Sequence, residues 1–314
     1  MCAGWPARFT DFQRYTGETM TTEHHVTEEL SVGPARVRVD YHGTAPRTHI
    51  LEDLDFFIYR LADVHISSNS SLAQPDILWN RDAETSVSYD GHTMTFNGEW
   101  APGPLQKAGV AMLALRLEEH GLHPFHASAV RYRDRTVMFL GGESNHGKSM
   151  AQIEACRRGA SLVSTETTVV DEAARAVMGS KTVFIKKRAQ GTERADKASP
   201  DRAVEIFFGS MPTWETHEGP SQIDVVVVPS IDGNYEPSLA EMISFEKQFQ
   251  TLHSVQNYFL LNELLAPGWA MPILDTTDLR RARAKFVAKF SERPYYLVRA
   301  ATPQVLMDQL DAVL

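Results

Sequence analysis

Gly142-Glu143-Ser144-Asn145-His146-Gly147-Lys148-Ser149 reads G-x-x-x-x-G-K-S, with the apolar run Thr136-Val137-Met138-Phe139-Leu140 before it and a helix-like stretch after it. Strand, glycine loop and helix in that order commit this part of the chain to an α/β arrangement. The spacing has a chemical reason: two glycines let the backbone curl until successive N–H groups point at phosphate oxygens. Lys148 then reaches the outer phosphates and the Ser149 hydroxyl ligates Mg²⁺. The segment from Gly142 to Met150 is therefore the expected binding site for ATP.

Charge and composition narrow the rest. The chain has 314 residues, 43% of them hydrophobic, enough for one large domain or two modest ones. A formal charge of −9 argues against general nucleic-acid binding, which draws its affinity from neutralising phosphates with Lys and Arg. The anion should instead sit in a local pocket. Cys2 and Cys156 lie far apart and form no CxxC pair, and the N-terminus lacks a basic segment followed by an apolar core. The expectation is a protein of the reducing cytoplasm without disulfides, and no apolar run reaches the length that crosses a bilayer.

Three regions are expected: a polar arm over 1–30, a small β-rich domain over 31–103 and a catalytic domain over 104–314. Residues 35–41 alternate apolar and polar as a strand does, and Asp90-Gly91 marks a tight hairpin within 88–94. Ala101-Pro102-Gly103-Pro104 breaks the pattern, and a helix follows from Leu105 to His120, ended by Gly121. Two β-type runs, 126–132 and 135–140, flank Arg133-Asp134; counting outward from that turn pairs 126 with 141 and sets His126 beside the start of the loop. The helix after the loop closes on Arg157, Arg158 and Gly159. A right-handed crossover then brings the carboxyl end of 161–164, and with it Thr165 and Glu166, back to the loop. The run Ile223 to Val228 reads as a strand buried on both faces. Helices at 245–252, 255–265 and 277–290, a strand at 295–299 and a helix capped by Thr302-Pro303 complete the expected layout.

His126-Ala127-Ser128-Ala129-Val130, the glycine loop, and Arg158-Gly159-Ala160-Ser161-Leu162-Val163-Ser164 together resemble the P-loop kinases related to HPr kinase/phosphorylase. The catalytic domain of that family is similar to phosphoenolpyruvate carboxykinase. The match covers roughly residues 122–170. It implies an α/β P-loop kinase domain and transfer of the γ-phosphoryl group of Mg²⁺-ATP to a hydroxyl, either of a small metabolite or of a peptide or protein serine. Kinases of this kind are often oligomeric. The chain departs from the family where Thr165-Glu166 stands in place of paired aspartates, leaving Glu166 as the single carboxylate, either base or metal ligand.

The expected site is thus His126 on the acceptor side, Lys148 on the phosphates, Ser149 and Glu166 around Mg²⁺, and Arg188 and Arg194 on a loop whose Gly191-Thr192 permits lid movement. Asp171 and Asp232 stand outside this set, the latter two residues too late for the usual metal-side aspartate. Two other readings of the same scaffold are a carboxykinase-like or nucleotidyl-transferring enzyme and a non-catalytic nucleotide-binding regulator.

Overall fold

The structure, a computed structural model, describes residues 22–51, 54–61, 63–141, 146–181, 183–186, 203–207, 214–259 and 272–314. It is a mixed α/β molecule with two large mixed sheets and, among the described residues, six helices. None of these helices is long and apolar enough to cross a membrane.

The first sheet is built from β1 (His24–Val32), β2 (Ala35–Gly43), β3 (His65–Ser67), β4 (Ile77–Asn80), β5 (Ser86–Tyr89) and β6 (Met94–Asn97). Helix α1 (Leu54–Arg60) leads into β3. The spatial order is β3-β1-β2-β4-β6-β5. The polar arm expected over 1–30 is corrected here: residues from His24 onward form β1, paired antiparallel with β2 along its whole length. Leu30 and Val32 on β1 meet Val37, Val39 and Tyr41 on β2 in the core, apolar contacts enough to hold a strand whose early residues are polar. The expected hairpin is present, with Tyr89 opposite Met94 and Asp90 accepting from the backbone of His92 and Thr93.

Helix α2 (Pro102–Glu119) follows the Pro/Gly break. Its buried residues Leu105, Ala108, Ala111, Leu113 and Leu117 join the core of the first sheet, so the helix expected to open the catalytic domain fills the N-terminal core instead. The helix comes close at Gly109, where a Cβ would lie 2.9 Å from Leu30 Cδ1.

The second sheet begins with β7 (Leu122–Phe125), β8 (Ala127–Tyr132) and β9 (Arg135–Leu140), then α3 (Lys148–Arg157), β10 (Ser161–Ser164), β11 (Thr168–Asp171) and β12 (Arg175–Gly179). A two-stranded sheet, β13 (Val183–Lys186) with β14 (Ala203–Phe207), precedes β15 (Ser221–Ile231) and β16 (Ser238–Glu241). The chain ends with α4 (Ser244–Gln256), α5 (Thr277–Phe290), β17 (Tyr295–Ala300) and α6 (Pro303–Asp311). The strand expected at 223–228 is the centre of this sheet. Parallel β9 and β17 flank it, and antiparallel β12 joins its first residues and leads on to β11 and β7. Val225 and Val227 face the core shared with α3 and α6, whereas Val226 and Val228 face the core shared with α4 and α5. Such two-sided burial explains the unbroken valine run. The α3 crossover makes β10 parallel to β9 with β8 between them, so both strands end at one edge.

Candidate functional site

That edge collects the residues of interest. Residues 142–145 lie outside those described, so the loop is defined by its two ends. Gly147 takes φ +102°, a left-handed conformation, and a Cβ there would sit 2.8 Å from the Ile231 side chain. Only glycine satisfies both conditions. Ile231 N–H also donates to His146 O at 3.2 Å, pinning the end of the loop to the end of β15. Helix α3 starts immediately afterwards with no side-chain cap and no acidic residue in its first turn. Its leading N–H groups therefore present positive potential at the loop. Lys148 Nζ donates to Gly141 O at 3.1 Å, joining the two ends, while Ser149 and Met150 are exposed. Burial pushes the Lys148 ammonium down from its usual value, opposed by the charge of Glu166.

His126 arrives as expected from the hairpin. Ala127 pairs with Leu140 and Tyr132 with Arg135, so one further step of register sets His126 against Gly141. Its backbone is fixed to α4 by two hydrogen bonds, His126 N–H to Ser254 O at 3.2 Å and Ser254 Oγ to His126 O at 3.1 Å. Its ring lies 3.1 Å from Glu166, Nε2 to Oε1. Glu166 follows β10 just beyond a register shift, and its backbone carbonyl accepts from Tyr258 hydroxyl at 3.0 Å. Arg60, at the end of α1, brings Nη1 to 3.5 Å from the same Oε1. The Tyr59 hydroxyl also bonds the carboxylate; burial and that negative charge push the phenol well above its ordinary value.

These neighbours settle the protonation states. Burial alone would raise the Glu166 pKa, but the His126 hydrogen bond and the charges around it, including Arg60 and Lys148, bring it down to about 2. Burial pushes His126 below its ordinary value. A neutral ring with the proton on Nε2 fits this: it donates to the carboxylate and leaves Nδ1 as a lone pair, and Nδ1 is buried with no partner among the described residues. A protonated ring would place an unbonded N–H in the interior.

The arrangement sorts the expected residues. His126, Lys148 and Glu166 come together; Ser149 lies at the head of α3 beside them. Arg188, Arg194 and the Gly191-Thr192 pair lie outside the described residues. Asp171 accepts from the backbone of Ala173 and Arg175 and pairs with the Arg175 side chain, a local turn brace. Asp232 accepts from Asn234 N–H and closes the turn after β15. Thr165 is buried, with its hydroxyl on Ser180 O at 3.0 Å. Arg60, Tyr59 and Tyr258 were not expected: they come from elements distant in sequence and carry no local motif.

A polyphosphate fits this edge, because the glycine-only turn, the uncapped helix and the buried ammonium all face one place. Mg²⁺ fits the Ser149 hydroxyl. Glu166 Oε1 is engaged by His126 and Arg60, and the carboxylate is held in its ionised form. Besides the roles expected of it, Glu166 holds the His126 ring by its Nε2. Among the described residues, no group of three or more His, Cys, Asp or Glu side chains is placed to hold a metal ion. No family model and no curated protein matches the chain, so what the site can do is argued from its own residues.

Proposed function

We propose that the chain is an ATP-dependent phosphotransferase of the P-loop kinase type, acting in the cytoplasm on a hydroxyl of a small metabolite or of a peptide or protein serine. One observation carries the reading. The Lys148 ammonium is drawn into a largely buried site at an uncapped helix start, and its only hydrogen-bond partner among the described residues is the Gly141 carbonyl. An ammonium has three donors and keeps its charge in such a place when an anion shares the site.

ATP bound here supplies the phosphoryl group, with Mg²⁺ at Ser149 screening its charge. Lys148 and the first N–H groups of α3 hold the phosphate oxygens and neutralise charge as it builds, which is most of what phosphoryl transfer asks of a protein. Glu166 accepts a hydrogen bond from His126 Nε2–H and orients the ring. His126, held as the neutral ring, then orients the acceptor side, and the loose transfer needs little base assistance. Tyr258 and Ser254 keep this pair in place through its backbone.

The test is thermal unfolding with ATP or ADP and Mg²⁺, for the native chain and for Lys148→Ala. Saturation at about 100 times the dissociation constant stabilises by ~2.7 kcal/mol. Stabilisation that the variant loses supports the reading; no shift in the native chain removes it.

The single, strongly ionised carboxylate favours a second reading, a nucleotide-binding regulator without catalysis. Acceptor-dependent formation of ADP separates the two, since a regulator binds ATP and leaves it intact.

A further inference from the structure

Arg60 belongs to the N-terminal part of the molecule, yet its guanidinium reaches the edge where the loop ends. Its backbone carbonyl accepts from the Thr167 hydroxyl, whose oxygen lies 2.5 Å from that of Tyr258. Its guanidinium lies over the rings of Tyr59, at 5.1 Å, and Phe56, at 5.8 Å. Main chain and side chain are thus both held, as a binding group needs. The guanidinium carries five N–H donors, and among the described residues its only hydrogen-bond partner is Glu166 Oε1, at the long distance of 3.5 Å. That oxygen already receives the His126 ring.

Lys148 acts on the same pair. Its charge and that of Arg60 are both felt by Glu166 and by His126. Among the described residues, two cations therefore face one carboxylate and one neutral imidazole, an excess of one positive charge in a site largely withdrawn from water. A second anion balances it, and a planar fork suits the oxygens of a phosphoryl group better than those of a hydroxyl acceptor.

We propose that Arg60 closes the site from the N-terminal side by binding the terminal phosphoryl group of the nucleotide, opposite Lys148. The inference rests on the nucleotide reading above and adds to it a donor group from outside the expected catalytic domain. It also gives the first sheet a task in the reaction, since Arg60 reaches the edge only while α1 is packed on its own core.

The experiment is calorimetric titration of the full chain, as native protein, Arg60→Met and Arg60→Lys, with ADP and with the β,γ-imido analogue of ATP, both with Mg²⁺. Arg60→Met should weaken the triphosphate by roughly 10- to 100-fold and leave ADP within about 2-fold, because a charge-assisted contact to the terminal group alone is removed. Arg60→Lys should fall between. Equal weakening of both nucleotides would mean that Arg60 merely supports Glu166, and no change in either would mean that it does not touch the ligand; each overturns the inference while the nucleotide reading stands. A native chain that binds neither nucleotide removes both. If Arg60→Met does not fold, the Arg60→Lys comparison carries the same test.

Discussion

Where α2 meets α5, Arg283 is buried between two carboxylates: Nε lies 2.9 Å from each oxygen of Glu118, and Nη1 lies 2.9 Å from Asp275 Oδ2. His123 stacks on Phe286 at 3.7 Å between centroids and places its two ring nitrogens 3.3 Å from Glu118 and 3.4 Å from Glu172. At the loop edge the same residue types, His126, Glu166 and Arg60 with Lys148, meet in a different condition. Among the described residues, Lys148 has one carbonyl, Arg60 one long contact, and His126 Nδ1 nothing. The first cluster is saturated and ties two cores together. The second keeps hydrogen-bonding capacity in hand, which is what a binding site must hold back.

That contrast can be broken most decisively at Arg283. Arg283→Met leaves the buried Glu118 carboxylate without its guanidinium, while Asp275 keeps Arg280, and should cost about 3–5 kcal/mol, read from the denaturant midpoint. Nucleotide affinity of the molecules that remain folded should not change. A cost below about 1 kcal/mol would place the cluster with ordinary surface pairs and erase the distinction.

Acid should act on the other cluster next. The folded pKa of Glu166 is depressed, so its stabilisation is full above the unfolded value of 4.5 and is lost as pH falls toward about 2. The span corresponds to ~3 kcal/mol. His126 is depressed as well, so its contribution is full above 6.5 and falls away as pH drops through the lowered folded value. Urea unfolding from pH 7 to pH 3 should thus lose stability in two windows, and Glu166→Gln should flatten the lower one. A lower window unchanged in that variant would assign acid sensitivity elsewhere.

Much of this edge can be read from the sequence, and the limit of that reading is physical. The hairpin at Arg133-Asp134 has a fixed register, so His126 could be placed by counting. The valine run needed two apolar faces, and β15 has them. Arg60 and Tyr258 reach Glu166 across sequence separations of 106 and 92 residues, set by how α1 and α4 pack. No spacing rule operates over such distances. Likewise, the partners that decide the charge state of Glu166 are not visible in the sequence. The arm expected over 1–30 failed at β1 because cross-strand pairing with β2 overrides a polar local composition.

A smaller effect should come with the opposite sign. Lys148→Met removes a largely withdrawn ammonium that, among the described residues, is satisfied by one carbonyl, and the ligand-free protein should gain about 1 kcal/mol in thermal unfolding while losing nucleotide binding. Lower stability in that variant would mean that Lys148 belongs with the saturated cluster. The smallest change should be at Asp232, where Asp232→Asn keeps the turn and should alter stability by about 0.5 kcal/mol or less, with nucleotide affinity intact. A tenfold loss of affinity would bring Asp232 into the site after all.

Helix α2 packs on α1, β1, β2 and β4 on one side and on β7 and α5 on the other. Cutting the chain at Ala101-Pro102-Gly103-Pro104, where the sequence pattern breaks, would take from the first half the helix that fills its interior. The second half would carry Leu105, Leu113 and Leu117 bare into water. Neither piece is a transferable cassette, and shuffling by gene fusion or fission can move this molecule only whole.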